Sequence, residues 1–173
     1  MISFRRPELD EISSFAKIHV QCWREAYRGI VPDSVLKNLS LEKRQKGWSD
    51  RLQEADLYVL GVFDDRRPIG FLHSGPAGND ARITADGQIY GIYLLEEFYR
   101  RGIGRRLFGC AARDWILRGK SMCVESLAGN IRASQFYKSL GGIEFPGTAF
   151  RVEGHELPQV LHHFADLETL TKL

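Results

Sequence analysis

The chain has 173 residues, which fits a single domain over 1–173 with a core large enough to need neither disulfides nor a metal. It is 43% hydrophobic and 27% charged, as ordinary globular proteins are, and 24 basic against 22 acidic residues give a net charge of +2, too balanced to suggest a nucleic-acid binder. The three cysteines, Cys22, Cys110 and Cys123, are odd in number, far apart and without a C-x-x-C, which argues against a disulfide framework or zinc site and for reduced thiols in a cytoplasmic protein.

Residues 1–7 carry no apolar signal-peptide core, and no apolar run is long enough for a membrane span. Residues 2–6 alternate and predict a first strand, stopped by Pro7. Pro7 and the acids at 8, 10 and 11 predict a helix start, and apolar spacing from Ile12 through Trp23 carries that helix to about Tyr27. Gly29 and Pro32 break it. A short helix is expected over 33–39 and another over 41–52, capped by Ser40, with Lys43, Arg44 and Lys46 outward.

Residues 57–63 and 69–74 predict two strands of a hairpin around the turn at 64–68, and the Gly- and Asp-rich stretch 75–86 predicts a loop. Residues 88–95 are apolar at almost every position, which places that strand in the middle of its sheet. A helix over 102–117, a strand over 122–126 and a helix over 130–140 follow, the last stopped by Gly141 and Gly142. Two runs, 143–152 and 157–167, predict a closing hairpin. The order points to a mixed α+β sheet rather than a regular βαβ dinucleotide fold.

Two stretches carry the chemistry. In Tyr99-Arg100-Arg101-Gly102-Ile103-Gly104-Arg105, a central strand ends, a basic turn follows and a helix starts on two glycines. Glycine leaves backbone N–H groups uncovered, and the first helical turn directs its own N–H groups and dipole at the same point, so a pyrophosphate suits it. A P-loop would need Lys-Ser/Thr after Gly104, and a Rossmann turn a third glycine where Leu107 stands. Coenzyme A remains as a familiar guest, beside the plain alternative of a turn with solvated arginines.

The second stretch is Asn130-Ile131-Arg132-Ala133-Ser134-Gln135-Phe136-Tyr137, ending at Leu140-Gly141. Asn130 is a good helix cap, and Ala133, Phe136, Tyr137 and Leu140 share the face that packs on the sheet. Read alone, Tyr137 is a core tyrosine with its hydroxyl bonded to backbone.

Together the two stretches resemble the GCN5-related N-acetyltransferase family, whose pattern is Gln/Arg-x-x-Gly-x-Gly/Ala at the turn and Asn-x-x-Ala-x-x-Phe-Tyr-x-x-x-Gly on a later helix. Gly102 and Gly104 match the first; Asn130, Ala133, Phe136, Tyr137 and Gly141 match the second. The stretch from Trp23 to Gly29 resembles a subgroup that acetylates small amines. The resemblance covers essentially the whole chain and implies a central, mostly antiparallel mixed sheet of about seven strands flanked by helices. It departs at Tyr99, which takes the Gln/Arg position.

The resemblance implies acetyl transfer from acetyl-CoA to a primary amine of a small molecule or peptide by direct attack. The cofactor would lie against Ile92, Tyr93, Leu94, Tyr99, Arg100, Arg101, Gly102, Ile103, Gly104, Arg105, Asn130 and Tyr137, with Tyr137 giving a proton to the departing thiolate. The oxyanion would meet an N–H of the strand around 92–94. The amine would lie near Trp23, Tyr27, Arg28, Gln88 and Tyr90. A lysine-like amine has a pKa near ~10.4, so a proton must be removed. Relatives carry a glutamate where Gln88 stands; Glu96, Glu97, His73, Tyr90 and Tyr93 are the alternatives. Arg24 or Arg28 would suit a carboxylate-bearing acceptor, Glu25 a polyamine.

Two other readings stay open: a non-catalytic coenzyme A sensor of the same fold, supported by Gln88, and an RNA-binding module drawn from the arginine pairs at 66–67, 100–101 and 105–106, which the near-neutral charge disfavours. Neither a metal nor a membrane is expected as partner, since adjacent His162 and His163 on a strand face opposite ways. The closing hairpin could pair across a homodimer.

Overall fold

The computed structural model describes residues 1–78 and 83–173. Its elements in chain order are β1 (Ile2–Arg5), α1 (Ile12–Ala26), α2 (Asp33–Lys37), α3 (Leu41–Gln53), β2 (Tyr58–Asp64), β3 (Arg67–Pro76), β4 (Gly87–Leu94), α4 (Ile103–Trp115), β5 (Met122–Leu127), α5 (Ile131–Ser139), β6 (Ile143–Pro146), β7 (Phe150–Val152), β8 (His155–Leu157) and β9 (Gln159–Phe164). Seven of these strands form one sheet in the order β1-β2-β3-β4-β5-β9-β6. Every neighbouring pair is antiparallel except β4 with β5.

Local chemistry sets the element ends. The Ser40 hydroxyl accepts the Lys43 N–H at 3.1 Å, and the Asn130 side chain accepts the Ala133 N–H at 3.1 Å, so both helices begin on a side-chain cap. α1 is preceded by a short turn of 3-10 helix in which Glu8 and Glu11 cap each other reciprocally. Gly141 closes α5 at φ +90°, a left-handed conformation that glycine adopts without strain.

β3 is buried from Ile69 to Gly75, hence on both faces, and both α1 and α4 pack on it. On the α1 and α3 side lie Phe63, Phe71 and His73 with Phe15, His19 and Trp48. On the α4 side the Trp115 indole donates to the Ser74 hydroxyl at 3.1 Å and lies over Gly87, where a Cβ would come within 2.6 Å of the ring. Phe108 of α4 meets Phe136 and Tyr137 of α5 and Phe164 of β9, tying the two helices to one face.

Three sequence expectations need correction. The closing hairpin is two nested ones: β6 pairs with β9, while β7 and β8 form a separate ribbon turned at Glu153 and Gly154, both with positive φ. β3 runs to Pro76, two residues past the predicted end of the strand, and residues 79–82 of the predicted loop lie outside the described residues. Arg44 does not point outward: it is half-buried, its guanidinium 4.6 Å from the Trp23 ring centroid.

Candidate active site

The site is built on a sheet that opens in the middle. β4 and β5 pair only from Gly87 to Ile89 against Met122 to Val124. The Asp86 carboxylate holds that end shut, accepting the Lys120 N–H at 2.7 Å and the Ser121 N–H at 3.0 Å. Beyond Ile89, β5 continues on β9 while β4 continues on β3, so the two central strands part. Among the described residues, no strand pairs with the β5 side of β4 over 90–94, and its backbone groups there are open to a ligand. Ile92, Tyr93 and Leu94 sit on this edge, where the sequence reading put the acyl group.

A bulge aims the edge. His73 pairs with Gly91 and Ser74 with Ile89, leaving Tyr90 as the extra residue on β4. Gln88, Gly91 and Tyr93 consequently face α1 and α3, and Ile92 and Leu94 face α4. The Tyr90 hydroxyl donates to the Pro76 carbonyl, so it braces the end of β3.

At the far end of β4 the chain makes a short 3-10 turn, Glu96–Phe98, and enters α4 through two left-handed residues, Arg100 at φ +62° and Gly102 at φ +76°. Gly102 is the helix N-cap, and its carbonyl accepts the Arg106 N–H, so the N–H groups at 103–105 head the helix without intrahelical partners. These are the anion donors expected at Ile103, Gly104 and Arg105; the Ile103 side chain is core. Gly104 lies against Phe136 of the second motif: a Cβ there would sit 3.4 Å from the ring.

The arginines of the turn divide. Arg100 and Arg105 are exposed. Arg101 folds back, donating to the Glu97 carbonyl at 2.8 Å with its guanidinium 5.0 Å from the Phe98 ring centroid. Tyr99 is half-buried, and burial pushes its phenol up to about 12. The Arg132 guanidinium covers it at 4.6 Å and pairs with Glu96 at 3.1 Å. Arg132 thus clamps α5 to the turn before α4, a contact the sequence reading missed although Arg132 follows the Asn130 cap by only two positions.

Tyr137 is buried, its ring 5.1 Å from His162 and 6.3 Å from Phe108. Its hydroxyl has no hydrogen-bond partner among the described residues, unlike the backbone-bonded core tyrosine that was the alternative. Burial pushes its pKa well above the ordinary tyrosine value, and the neighbouring Tyr27 acts in the same direction. Behind it the Ser134 hydroxyl meets both His162 Nε2 at 3.1 Å and Glu144 at 2.8 Å. Serine and carboxylate crowd the same imidazole nitrogen, which is not the order a nucleophilic triad needs.

On the opposite face, Trp23 and Tyr27 are buried in a satellite core with Val31, Val35, Leu36 and Leu127. The Tyr27 and Tyr93 hydroxyls meet at 3.0 Å, linking α1 to β4. Arg28 is exposed, and Arg24 donates to the Leu36 carbonyl at 3.1 Å, closing α1 on α2.

Of the candidate bases, Glu96 is paired with Arg132 at 3.1 Å and Glu97 with Arg67 at 2.7 Å, both exposed. His73 faces Gly91 but is buried, and burial lowers its pKa to about 3. Its neighbour His19, unassigned in the sequence reading, is lowered to about 2 for the same reason. Each imidazole is therefore neutral at pH 7 and a weak proton acceptor.

Comparison with known proteins follows the same outline. An FR47-like protein family model matches residues 79–151, which span β4, the turn, α4, β5 and α5. The chain is 29% identical over 177 residues to the uncharacterized N-acetyltransferase YuaI of Bacillus subtilis (strain 168), covering 100% of this chain and 98% of that protein. The PaiA N-acetyltransferase of Thermoplasma acidophilum, solved in complex with coenzyme A, superposes with a TM-score of 0.71 at 18% identity over 92% of this chain and 98% of that one. The ribosomal-protein-alanine N-acetyltransferase of Brucella melitensis gives 0.72 at 16% identity, covering 94% and 99%.

Proposed function

We propose that the chain is a GCN5-related N-acetyltransferase family protein that moves the acetyl group of acetyl-CoA to a primary amine, a reading supported by the fold, the paired motifs and a relative similar over its full length. The observation that carries the reading is the join of the parted β4 edge to the unoccupied-by-side-chain helix start: open backbone groups over 90–94 lead to the free N–H groups at 103–105. Acetyl-CoA supplies a thioester whose carbonyl the amine attacks.

The chain's own residues have separable roles. The N–H groups of the α4 start, left bare by Gly102 and Gly104, hold the pyrophosphate, with Arg100 and Arg105 adding charge. A β4 N–H around 92–94 steadies the oxyanion. The Asn130 side chain caps α5 and so sets the position of Tyr137. Tyr137 would face the departing sulfur, with its proton held more firmly than a free thiol near ~8.5 holds its own. It suits hydrogen-bond donation to the thiolate better than outright proton transfer. With no strong base on the α1 face among the described residues, the amine enters in its neutral form and sheds its second proton after attack, to the thiolate or to water.

Isothermal titration with acetyl-CoA and thiol release across an amine panel test the reading. Tight binding with release on amine addition is the expected result. No binding at high micromolar concentration would end the reading, and binding without release from any amine would leave a coenzyme A sensor in its place.

A further inference from the structure

The acids that would greet a cationic acceptor are already engaged. Glu96 and Glu97 are held by Arg132 and Arg67. Glu25 takes the Gln21 amide at 2.8 Å and the Glu96 N–H at 3.1 Å.

The free charge on this side is positive. On α3, Arg44 and Arg51 flank the fully buried Trp48 at i−4 and i+3, so the three share one face of the helix. Both arginines are half-buried, and neither guanidinium makes an ion pair or a hydrogen bond among the described residues. Arg44 lies over Trp23, and Arg51 lies back along its own helix across Gly47, where a Cβ would come within 2.9 Å of its Nη1. Glycine inside a helix is destabilising relative to alanine. Here it makes room for that guanidinium to run toward Arg44. Neither nearby acid forms an ion pair with Arg44 or Arg51 among the described residues: Asp50 is bound to Lys46 at 2.9 Å, and Glu54 is exposed.

Burial lowers the pKa of both guanidiniums, and the charge of Arg51 lowers that of Arg44 further. Arg44 acts electrostatically on Tyr27, Tyr93, His19 and His73, and Arg51 on both histidines, so the pair borders the α1 and α3 face of β4. The same aromatic cluster holds four buried ring nitrogens without a hydrogen-bond partner among the described residues: Trp23 Nε1, Trp48 Nε1, His19 Nδ1 and His73 Nδ1. Two are obligate donors. Donors and cations gathered with nothing to receive them fit an anionic guest.

We propose that the acceptor is an amine that also carries a carboxylate, held by Arg44 and Arg51 beside Trp23 and Trp48. The planar guanidinium fork matches a carboxylate in a way a lone ammonium does not. This rests on the acetyltransferase reading, whose own test is acetyl-CoA binding.

The experiment compares matched acceptors: free amino acids, their amides, the corresponding decarboxylated amines, a polyamine, and dipeptides that move the carboxylate further from the amine. Carboxylate-bearing acceptors should exceed their amides in kcat/KM by about tenfold or more, as loss of a charged hydrogen bond does. Which length of acceptor wins separates a free amino acid from a peptide end. Arg44→Gln with Arg51→Gln should raise the acceptor KM and erase the preference while leaving the acetyl-CoA KM within about twofold; Arg44→Lys should fall between. Carboxylate titration read by tryptophan emission gives a second measurement that needs no turnover: amino acids should shift it, amides should not, and the double substitution should abolish the shift. The inference is overturned if amides or polyamines are preferred, if the double substitution leaves the ratio unchanged, or if no carboxylate ligand is turned over or shifts the emission. Failure of acetyl-CoA to bind would instead strike the acetyltransferase reading, with the emission titration still deciding the anion site.

Discussion

The hydroxyls of Tyr27 and Tyr93 meet at 3.0 Å, and that single bond joins α1 to the central strand β4. Burial raises the pKa of each phenol, so both are protonated at neutral pH and one donates to the other. Tyr27→Phe and Tyr93→Phe should each cost about 1 kcal/mol in urea unfolding, and the double substitution less than their sum. Strict additivity would mean that the two hydroxyls are bonded to water instead.

Tyr137→Phe keeps the ring against Phe108 and His162 and removes only the hydroxyl. Turnover should fall by about tenfold to a hundredfold, the range of one charge-stabilising donor, with acetyl-CoA affinity nearly unchanged. Unaltered turnover under conditions where chemistry limits the rate would remove Tyr137 from the mechanism.

Gly102→Ala places a side chain at φ +76°. No atom lies within 4 Å of the added Cβ, so the cost is backbone strain alone, about 1 kcal/mol. The melting temperature should drop by a few degrees and acetyl-CoA binding should weaken as the α4 start shifts. An Ala variant with wild-type affinity would show that the turn tolerates the strain in place.

Stability should depend on pH through His19 and His73, whose folded pKa values are lowered to about 2 and about 3. Between those values and the ordinary value near ~6.5 the unfolded chain binds more protons than the folded one, so stability falls as pH drops through that window. Each histidine can contribute up to about 1.4 kcal/mol per pH unit. His162, lowered by burial as well, adds with the same sign. The unfolding free energy should be level above about pH 7 and decline steeply below about pH 6, with His73→Gln reducing the slope. A level profile down to about pH 5 would contradict the burial of both imidazoles.

Much of this was legible in the residues. The strand at 88–95 betrayed its central place because nearly every side chain is apolar, and Ser40 and Asn130 announced their helices. The proposed donor site rests on the glycines at 102 and 104 and the Asn130 helix. The proposed acceptor side was harder to read, since its parts come from α1, α3, β3 and β4, which only folding brings together. Arg44 was set outward by its charge, yet Trp48 held the clue: a tryptophan that must be buried fixes the helix face, and residues four before and three after share it. The β4 bulge at Tyr90 left no sequence mark, because Ile89-Tyr90-Gly91 reads equally well as regular strand.

The gap beside β4 also bears on how the chain survives before it meets its ligand. A strand edge with unsatisfied backbone groups is a template for pairing with another chain, and most proteins keep such edges short, charged or covered. Here it lies between the two central strands rather than at the rim. A ligand that binds only the folded form raises stability by RT ln(1 + [L]/Kd), about 2.7 kcal/mol at a hundredfold excess over Kd. The cellular supply of acyl donor would then set the lifetime of the chain as well as its rate of work, with starvation leaving more of it to proteases and to aggregation.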